Sequence, residues 1–565
     1  MITSRLYSSV VSVRPDSCAG PTLSSCTICR NEPFSFQLAY RITDGSAAAL
    51  PFYARVDSEL PVNLYYAACV PVIHADFPPL SPRQSPGLYP DILIPKAVNP
   101  PLTKVKTWGS ERCYEAGEKT ALFAYNDSWQ ALWFAVNEDG ADVAPGQYRV
   151  GITLYSRGME KVGTNELTVE VLDLTLPEQS LIYTNWFHYD CLADMYGVPL
   201  FSERYLEIMR DFVRKAVRNG MNMLLLPAFT PPLDTPVGME RMTVQLVGVK
   251  ADGDGYTFDF SLLKRFLDLC REDGVRYFEH SHFFSQWGAE HAPKVMGERD
   301  GETVQLFGWD TDAAGDEYIG FLRAYLTALR PFLKAEGLED RVLFHISDEP
   351  GPRSIGQYSL LYGKLADLLE GCMVGDALSD PRFYESGAVR LPIASTPHVH
   401  QFLGKGGHIW AYYTGAAVAD GMSNRIIQMP PERNRSLGYQ LWYNRIEGFL
   451  HWGYNFWYGE LCFGQIEPFL TPCGGYPNAG TSYCVYPARD GTAWQSVRQK
   501  VFAEGLTDMR ALALLESLAG RRVCEALVER HFGRADFYSA AESPEAFLAF
   551  RDELSGALRA FRKKP

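Results

Sequence analysis

The spacing of apolar residues changes near position 177, and the change divides the chain. Before it, runs such as Phe34-Ser-Phe-Gln-Leu-Ala-Tyr40, Ala131-Leu-Trp-Phe-Ala-Val136, Tyr148-Arg-Val-Gly-Ile-Thr-Leu-Tyr155 and Leu167-Thr-Val-Glu-Val-Leu172 alternate or are rich in β-branched and aromatic residues. Gly and Pro punctuate them, and Pro145-Gly146 is a turn feeding a strand. This pattern predicts a β-sandwich over residues 1–176 that braces its neighbour or binds carbohydrate.

After Pro177 short apolar runs alternate with helix-length segments. Tyr205, Ile208, Met209, Phe212, Val213 and Ala216 share one face of a helix over 203–219, which Gly220 stops. Further helices are expected over 258–272, 318–336 and 356–369. The strand candidates are 181–186, 221–227, 276–280, 342–346, 374–378, 391–394, 409–413 and 449–456. Such alternation implies parallel strands with crossover helices, and eight of them imply a closed barrel. The expected fold class is therefore α/β: a (β/α)8 TIM-type barrel over 177–495, with an N-terminal β-sandwich domain and a C-terminal helical extension over 496–565. The long segment Thr230–Tyr256 suits a wall of the active site. Of the C-terminal helices, the first is expected to close the barrel. The others pack outside it or join two copies as a homodimer.

Candidate chemistry concentrates at strand ends. His345-Ile-Ser-Asp-Glu-Pro350 sets two adjacent carboxylates at the tip of the fourth strand, the usual equipment for glycoside cleavage. Strands seven and eight, where an attacking carboxylate would be sought, carry no Asp or Glu before Glu460. A substrate whose own 2-acetamido oxygen attacks the anomeric carbon removes that need. Strands seven and eight are instead dense in Trp410, Tyr412, Tyr413, His451, Trp452, Tyr454, Asn455 and Trp457, as in a sugar pocket, with half of them expected to pack under the helices. His188, Asp190, Trp309 and Asp310 follow or precede other strands and are candidates for binding sugar hydroxyls or for supporting residues that do. His345 joins the candidate substrate-binding set, together with Tyr412, Tyr413, His451, Asn455 and Trp457. Arg425 and Arg435, between strands seven and eight, anchor loops or neutralise Asp348.

Composition narrows the function. A formal net charge of -14 argues against nucleic acid, because phosphate binding needs clustered Lys and Arg; Arg562-Lys563-Lys564 reads as a solvated end. No apolar run reaches the eighteen or so residues that span a bilayer, so no membrane insertion is expected. Nor does a basic start followed by an apolar run open the chain; a cytoplasmic protein with free thiols among its 12 cysteines is expected. Cys26-Thr-Ile-Cys29 lacks the second ligand pair of a zinc site, His280 and His282 lack an obvious third ligand, and no metal or cofactor is expected.

At these residues the chain resembles the glycoside hydrolase family 123-like catalytic domain, also called domain of unknown function 4091. The likeness rests on Asn185-Trp-Phe-His-Tyr-Asp-Cys-Leu192, Ala228-Phe-Thr-Pro-Pro-Leu-Asp-Thr235, Gln286-Trp-Gly-Ala289, Phe307-Gly-Trp-Asp-Thr-Asp312, Phe344-His-Ile-Ser-Asp-Glu-Pro350, Asp376-Ala-Leu-Ser-Asp380 and Gly448-Phe-Leu-His-Trp-Gly-Tyr-Asn455, in order over about 180–515. The resemblance implies a retaining, substrate-assisted β-N-acetylgalactosaminidase with a β-sandwich ahead of its barrel. It implies Glu349 as general acid/base, Asp348 as the residue holding the acetamido group, and a GalNAc-containing glycan or glycoconjugate as substrate. Another β-hexosaminidase and a non-catalytic carbohydrate-binding protein are the alternatives.

Overall fold

In a computed structural model, which describes residues 2–45, 47–73, 86–107, 110–115, 122–253, 255–419 and 421–561, the strands expected after Pro177 close on one another. The basic tail at 562–564 lies outside the described residues. The barrel strands are β1 (Ile182–Asn185), β2 (Met223–Leu226), β3 (Tyr277–His280), β4 (Val342–Phe344), β5 (Met373–Leu378), β6 (Leu391–Ser395), β7 (Trp410–Tyr412) and β8 (Gly448–His451). All pair in parallel, and Ile182 opposite Gly448 through Asn185 opposite His451 closes the ring.

Alternation along each strand decides what enters the barrel. Met223, Leu225, Leu343, Ile393, Trp410 and Leu450 form a buried cluster inside it. Trp410 fills the floor so closely that a Cβ on Gly448 would lie 2.1 Å from its ring. The outward residues Phe278, Phe344, Ala411 and Phe449 instead join the core shared with the helices. Each fully buried side chain of this kind contributes about 1.5–3 kcal/mol.

The N-terminal region is a sandwich of a seven-stranded and a five-stranded sheet. Its core lies between the sheets, where Phe36 stacks on Phe134 at 4.9 Å between ring centroids. Two strands of the larger sheet come from the far end of the chain. The hairpin Val485–Pro487 and Ala493–Ser496 continues the sheet order beyond Gly87–Lys96.

Two features were not legible as periodicity. The wall expected over 230–256 contributes Gly248–Asp252 and Gly255–Asp259 to a four-stranded sheet with Val295–Arg299 and Glu302–Phe307. The link between β7 and β8 contains a helix, Pro431–Tyr443, buried at every position from Asn434 to Trp442. A helix covered on all sides carries no apolar stripe to betray it. The helix Val497–Ala519, expected as the first of the C-terminal helices, buries charge along its length: Arg498, Lys500, Glu504 and Asp508 are all buried. Among the described residues no helix is long and apolar enough to cross a membrane, and the described cysteines are free thiols.

Candidate active site

At the carboxyl end of the barrel a cavity of about 220 Å³ is lined by Asp234, Gln286, Asp348, Glu349 and the rings of Trp186, Trp287, Tyr412, Trp452 and Tyr476. Two larger cavities, of about 550 and 840 Å³, lie at the sandwich seam and at the amino end of the barrel. Barrel active sites sit at the carboxyl end, and the adjacent acids are there.

Backbone pairing presents the dyad. Beyond β3 and β4 the chain continues side by side: Phe283 N–H donates to His345 O, Phe284 N–H to Ile346 O, and Trp287 N–H to Asp348 O at 2.9 Å. This brings Gln286 over the tip of β4, where its Nε2 donates to Asp348 Oδ2 at 2.7 Å. Pro350 disfavours helical backbone at Glu349, which takes a left-handed φ of 41°. Such a conformation in a non-glycine residue costs on the order of 1–3 kcal/mol and clusters at functional sites. Tyr412 Oη–H donates to Glu349 Oε1 at 2.6 Å. Burial, and then the neighbouring Glu349, push the Asp348 carboxyl well above the usual carboxylate range.

His345 lies beneath the dyad, not in the cavity. Its Nε2–H donates to Glu279 Oε1 at 2.6 Å and its Nδ1–H to Asp376 Oδ1 at 3.0 Å. Burial opposes charge on this imidazole, but the bonds to Asp376 and Glu279 outweigh it and hold the pKa up to about 10. His345 is therefore a buried cation supporting β4 rather than a ligand for sugar. Glu279 is itself saturated, accepting also from Trp186 Nε1 and Thr184 Oγ1.

His282, His345 and Asp376 bring possible metal-ligand atoms within 4.8 Å of one another. The two rings, however, stack at 4.4 Å with planes only 19° apart. Imidazole lone pairs lie in the ring plane, so near-parallel rings do not converge on one ion, and both nitrogens of His345 are already donors. His280 turns away to Tyr325 Oη at 2.8 Å. At the Cys26–Cys29 pair, burial pushes both thiols upward, away from the thiolate a metal needs.

Of the other candidates, Tyr412 reaches the cavity and its neighbour Tyr413 does not. Alternation turns Tyr413 outward against Phe449 and His451. His451 likewise faces out and accepts from Gly453 N–H, while Trp452 points in. Trp457 is sealed under Phe212, its Nε1 donating to Val485 O. Asn455 caps the turn at His188, accepting from its N–H and donating to its O. His188 is buried against Trp452 O, and burial with the nearby Arg241 pulls its pKa down to about 4. Asp190 is buried in a salt bridge with Arg241 at 2.8 Å. Trp309 donates to Met239 O outside the cavity, and Asp310 is exposed beside it. Arg425 bonds Tyr183 Oη, and Arg435 pairs with Glu504 and Asp508, so neither neutralises Asp348.

The cavity residues that strand-end reasoning passed over are Asp234, Tyr476 and the amide role of Gln286. Asp234 and Gln286 sit in two stretches that carried the family resemblance. Tyr476 stands in a long loop with no signal of its own.

Comparison with known proteins agrees with this geometry. The chain finds no match among curated proteins. Among solved structures, a family 123 glycoside hydrolase from Clostridium perfringens, described for glycolipid glycan hydrolysis, superposes with a TM-score of 0.69 at 14% identity, covering 99% of this chain and 98% of that one. A β-glucuronidase from Parabacteroides merdae (TM-score 0.27, 11% identity, 80% of this chain and 47% of that one) and a family 5 mannosidase from Rhizomucor miehei (0.31, 13%, 59% and 94%) are far more distant. The profile of the glycoside hydrolase 123 catalytic domain matches residues 186–515, more than half of the chain and all of the cavity's lining. The protein with this acid pair at the mouth of its barrel belongs to glycoside hydrolase family 123.

Proposed function

We propose that the chain is an exo-acting, retaining β-N-acetylgalactosaminidase in which the substrate's 2-acetamido group is the nucleophile. The observation that carries this reading is the placement of Asp348 and Glu349 side by side in one small aromatic-walled cavity. Two carboxyl groups on adjacent residues suit two adjacent substituents of one sugar, the glycosidic oxygen at C1 and the acetamido group at C2. The walls of Trp186, Trp287 and Trp452 offer faces for the apolar side of a pyranose. A terminal GalNAc of a glycoconjugate is the substrate, in keeping with the glycolipid glycans of the Clostridium perfringens relative.

The proton follows from the electrostatics. Burial, and then Glu349, raise the proton affinity of Asp348. An acetamido N–H donated to Asp348 favours its charged form. Glu349 Oε1 is held by Tyr412, leaving Oε2 to protonate the leaving oxygen. The acetamido oxygen attacks C1 as the C1–O bond breaks, forming an oxazolinium with Asp348 against its nitrogen. Glu349 then takes a proton from the water that opens the ring, and the two inversions give retention.

Glu349→Gln is expected to lower turnover of substrates with poor leaving groups by about 10²–10⁴-fold while sparing activated aryl glycosides. Asp348→Asn is expected to fail on both. A GalNAc-thiazoline should compete with p-nitrophenyl β-GalNAc. Turnover with no such inhibition, or an Asp348→Asn variant of near-normal rate, excludes substrate assistance, and preference for the β-GlcNAc glycoside reassigns the sugar.

A further inference from the structure

We propose that Asp234 is the residue that reads one hydroxyl at the C3–C4 edge of the bound sugar, an assignment that rests on the reaction just described. Asp234 is the third carboxylate of the cavity, and it is held from several sides. Its backbone N–H donates to Gln286 Oε1 at 2.7 Å, and the same amide donates through Nε2 to Asp348. Its Oδ2 accepts from Tyr476 Oη–H at 2.6 Å and from Leu461 N–H at 3.1 Å. Its carbonyl oxygen takes the thiol of Cys462 at 2.9 Å. One residue back, Leu233 O accepts from Arg241, which Asp190 clamps.

These bonds hold Asp234 in the left-handed region, at φ 47°, and Leu461 and Cys462 opposite it are left-handed too, at 54° and 61°. Three such non-glycine residues in one contact store strain that ordinary loop closure does not require. The result is a carboxylate with one oxygen fixed by neutral donors. No hydrogen bond from the described residues reaches its Oδ1, and that oxygen is not sealed off from solvent. Preorganised acceptors of this kind discriminate hydroxyl patterns, because an analogue lacking the hydroxyl leaves the site unpaired.

Order along the wall assigns the partner. Glu349, Asp348, Gln286 and Asp234 follow one another through covalent and hydrogen bonds. The ring presents the leaving oxygen at C1, the acetamido group at C2, then hydroxyls at C3 and C4. With Glu349 at C1 and Asp348 at C2, Asp234 falls at the hydroxyl edge, where the epimers of a hexosamine differ.

The experiment compares wild type, Asp234→Ala and Asp234→Asn on p-nitrophenyl β-GalNAc and its 3-deoxy and 4-deoxy analogues. Loss of a charged hydrogen bond predicts a fall in kcat/KM of about 10- to 150-fold for Asp234→Ala on the parent substrate. On the analogue that lacks the partner hydroxyl, wild type and variant should converge to within about threefold, and that analogue names the hydroxyl. Asp234→Asn, which keeps the shape and a bond to Tyr476, should fall between them. An equal penalty on both analogues overturns the proposal in favour of a purely supporting role. A collapse on every substrate that azide restores as a glycosyl azide overturns it in favour of a nucleophile. A wild-type chain active on another glycoside but not on β-GalNAc overturns the sugar reading itself, and this is visible before any variant is made.

Discussion

The chain buries charge in two places, and it treats the charges differently. At the seam between sandwich and barrel five buried acids, Glu32, Asp91, Glu138, Glu504 and Asp508, each meet a cation. Arg435 holds Asp508 through Nε at 2.7 Å and Nη2 at 3.0 Å, and Glu504 through Nη1 at 2.7 Å. Arg551 pairs with Glu32 at 2.6 Å, Arg498 with Asp91 at 3.0 Å, and Lys500 with Glu138. In the cavity, among the described residues, the side-chain donors to Asp234, Asp348 and Glu349 are neutral: Tyr476, Gln286 and Tyr412. Paired buried ions specify how pieces fit and are costly to break singly. Acids hydrogen-bonded to neutral donors rather than to a cation keep proton affinity to use. The contrast separates architecture from chemistry more sharply than burial does.

The comparison breaks first at the seam. Arg435→Met leaves Asp508 and Glu504 buried without their strongest partner and is expected to cost about 3–5 kcal/mol, read as a lower calorimetric midpoint, with the folded fraction still active. A midpoint within error of wild type would show that these ions are not joined as described.

A smaller effect of opposite sign is expected in the cavity. The folded carboxyl of Asp348 lies above its unfolded value, so its contribution is most favourable below the ordinary carboxylate range and is lost as pH rises through the folded pKa. Asp348→Asn removes that loss and should stabilise the inactive protein at neutral pH by about 0.5–2 kcal/mol, a trade of activity for stability. The gain should shrink toward acid pH; a variant less stable than wild type at pH 7 contradicts the uncompensated charge.

The mildest test uses acid. Burial opposes charge on Glu138, yet Lys500, Tyr65 and Asn63 hold its pKa down to about 2. Burial also pulls the Lys500 ammonium down, and the added donors on the carboxylate keep the pair charged. A lowered carboxyl stabilises the fold above its unfolded value and loses this as pH falls toward the folded one. Fluorescence of Trp129 and Trp133, which pack on this side of the sandwich, should report loosening between about pH 4 and 2. Replacing Glu138 by Gln should flatten that slope.

How much was legible follows from how local each signal is. The eight barrel strands announced themselves because a strand inside a ring of helices is apolar on both faces. The dyad was legible because both acids lie on one strand tip, and Tyr412 because the aromatic run at β7 straddles the rim. Tyr413, His451 and Trp457 share that run and point the other way, a difference of one residue in register. His188 and Asp190 look like sugar ligands in sequence, yet they serve Arg241, a partner 51 residues from Asp190. The helix Val497–Ala519 was legible as an element that closes the barrel, but not the partners of its Arg, Lys, Glu and Asp, which come from distant parts of the chain.

The sequence by itself determined the periodicities, hence the barrel, the sandwich and the acid pair, because hydrophobic spacing and strand termini are local properties of the chain. Tertiary structure alone decided which acids are spent on cations and which remain unpaired, because that depends on which distant side chains share a volume too small for water.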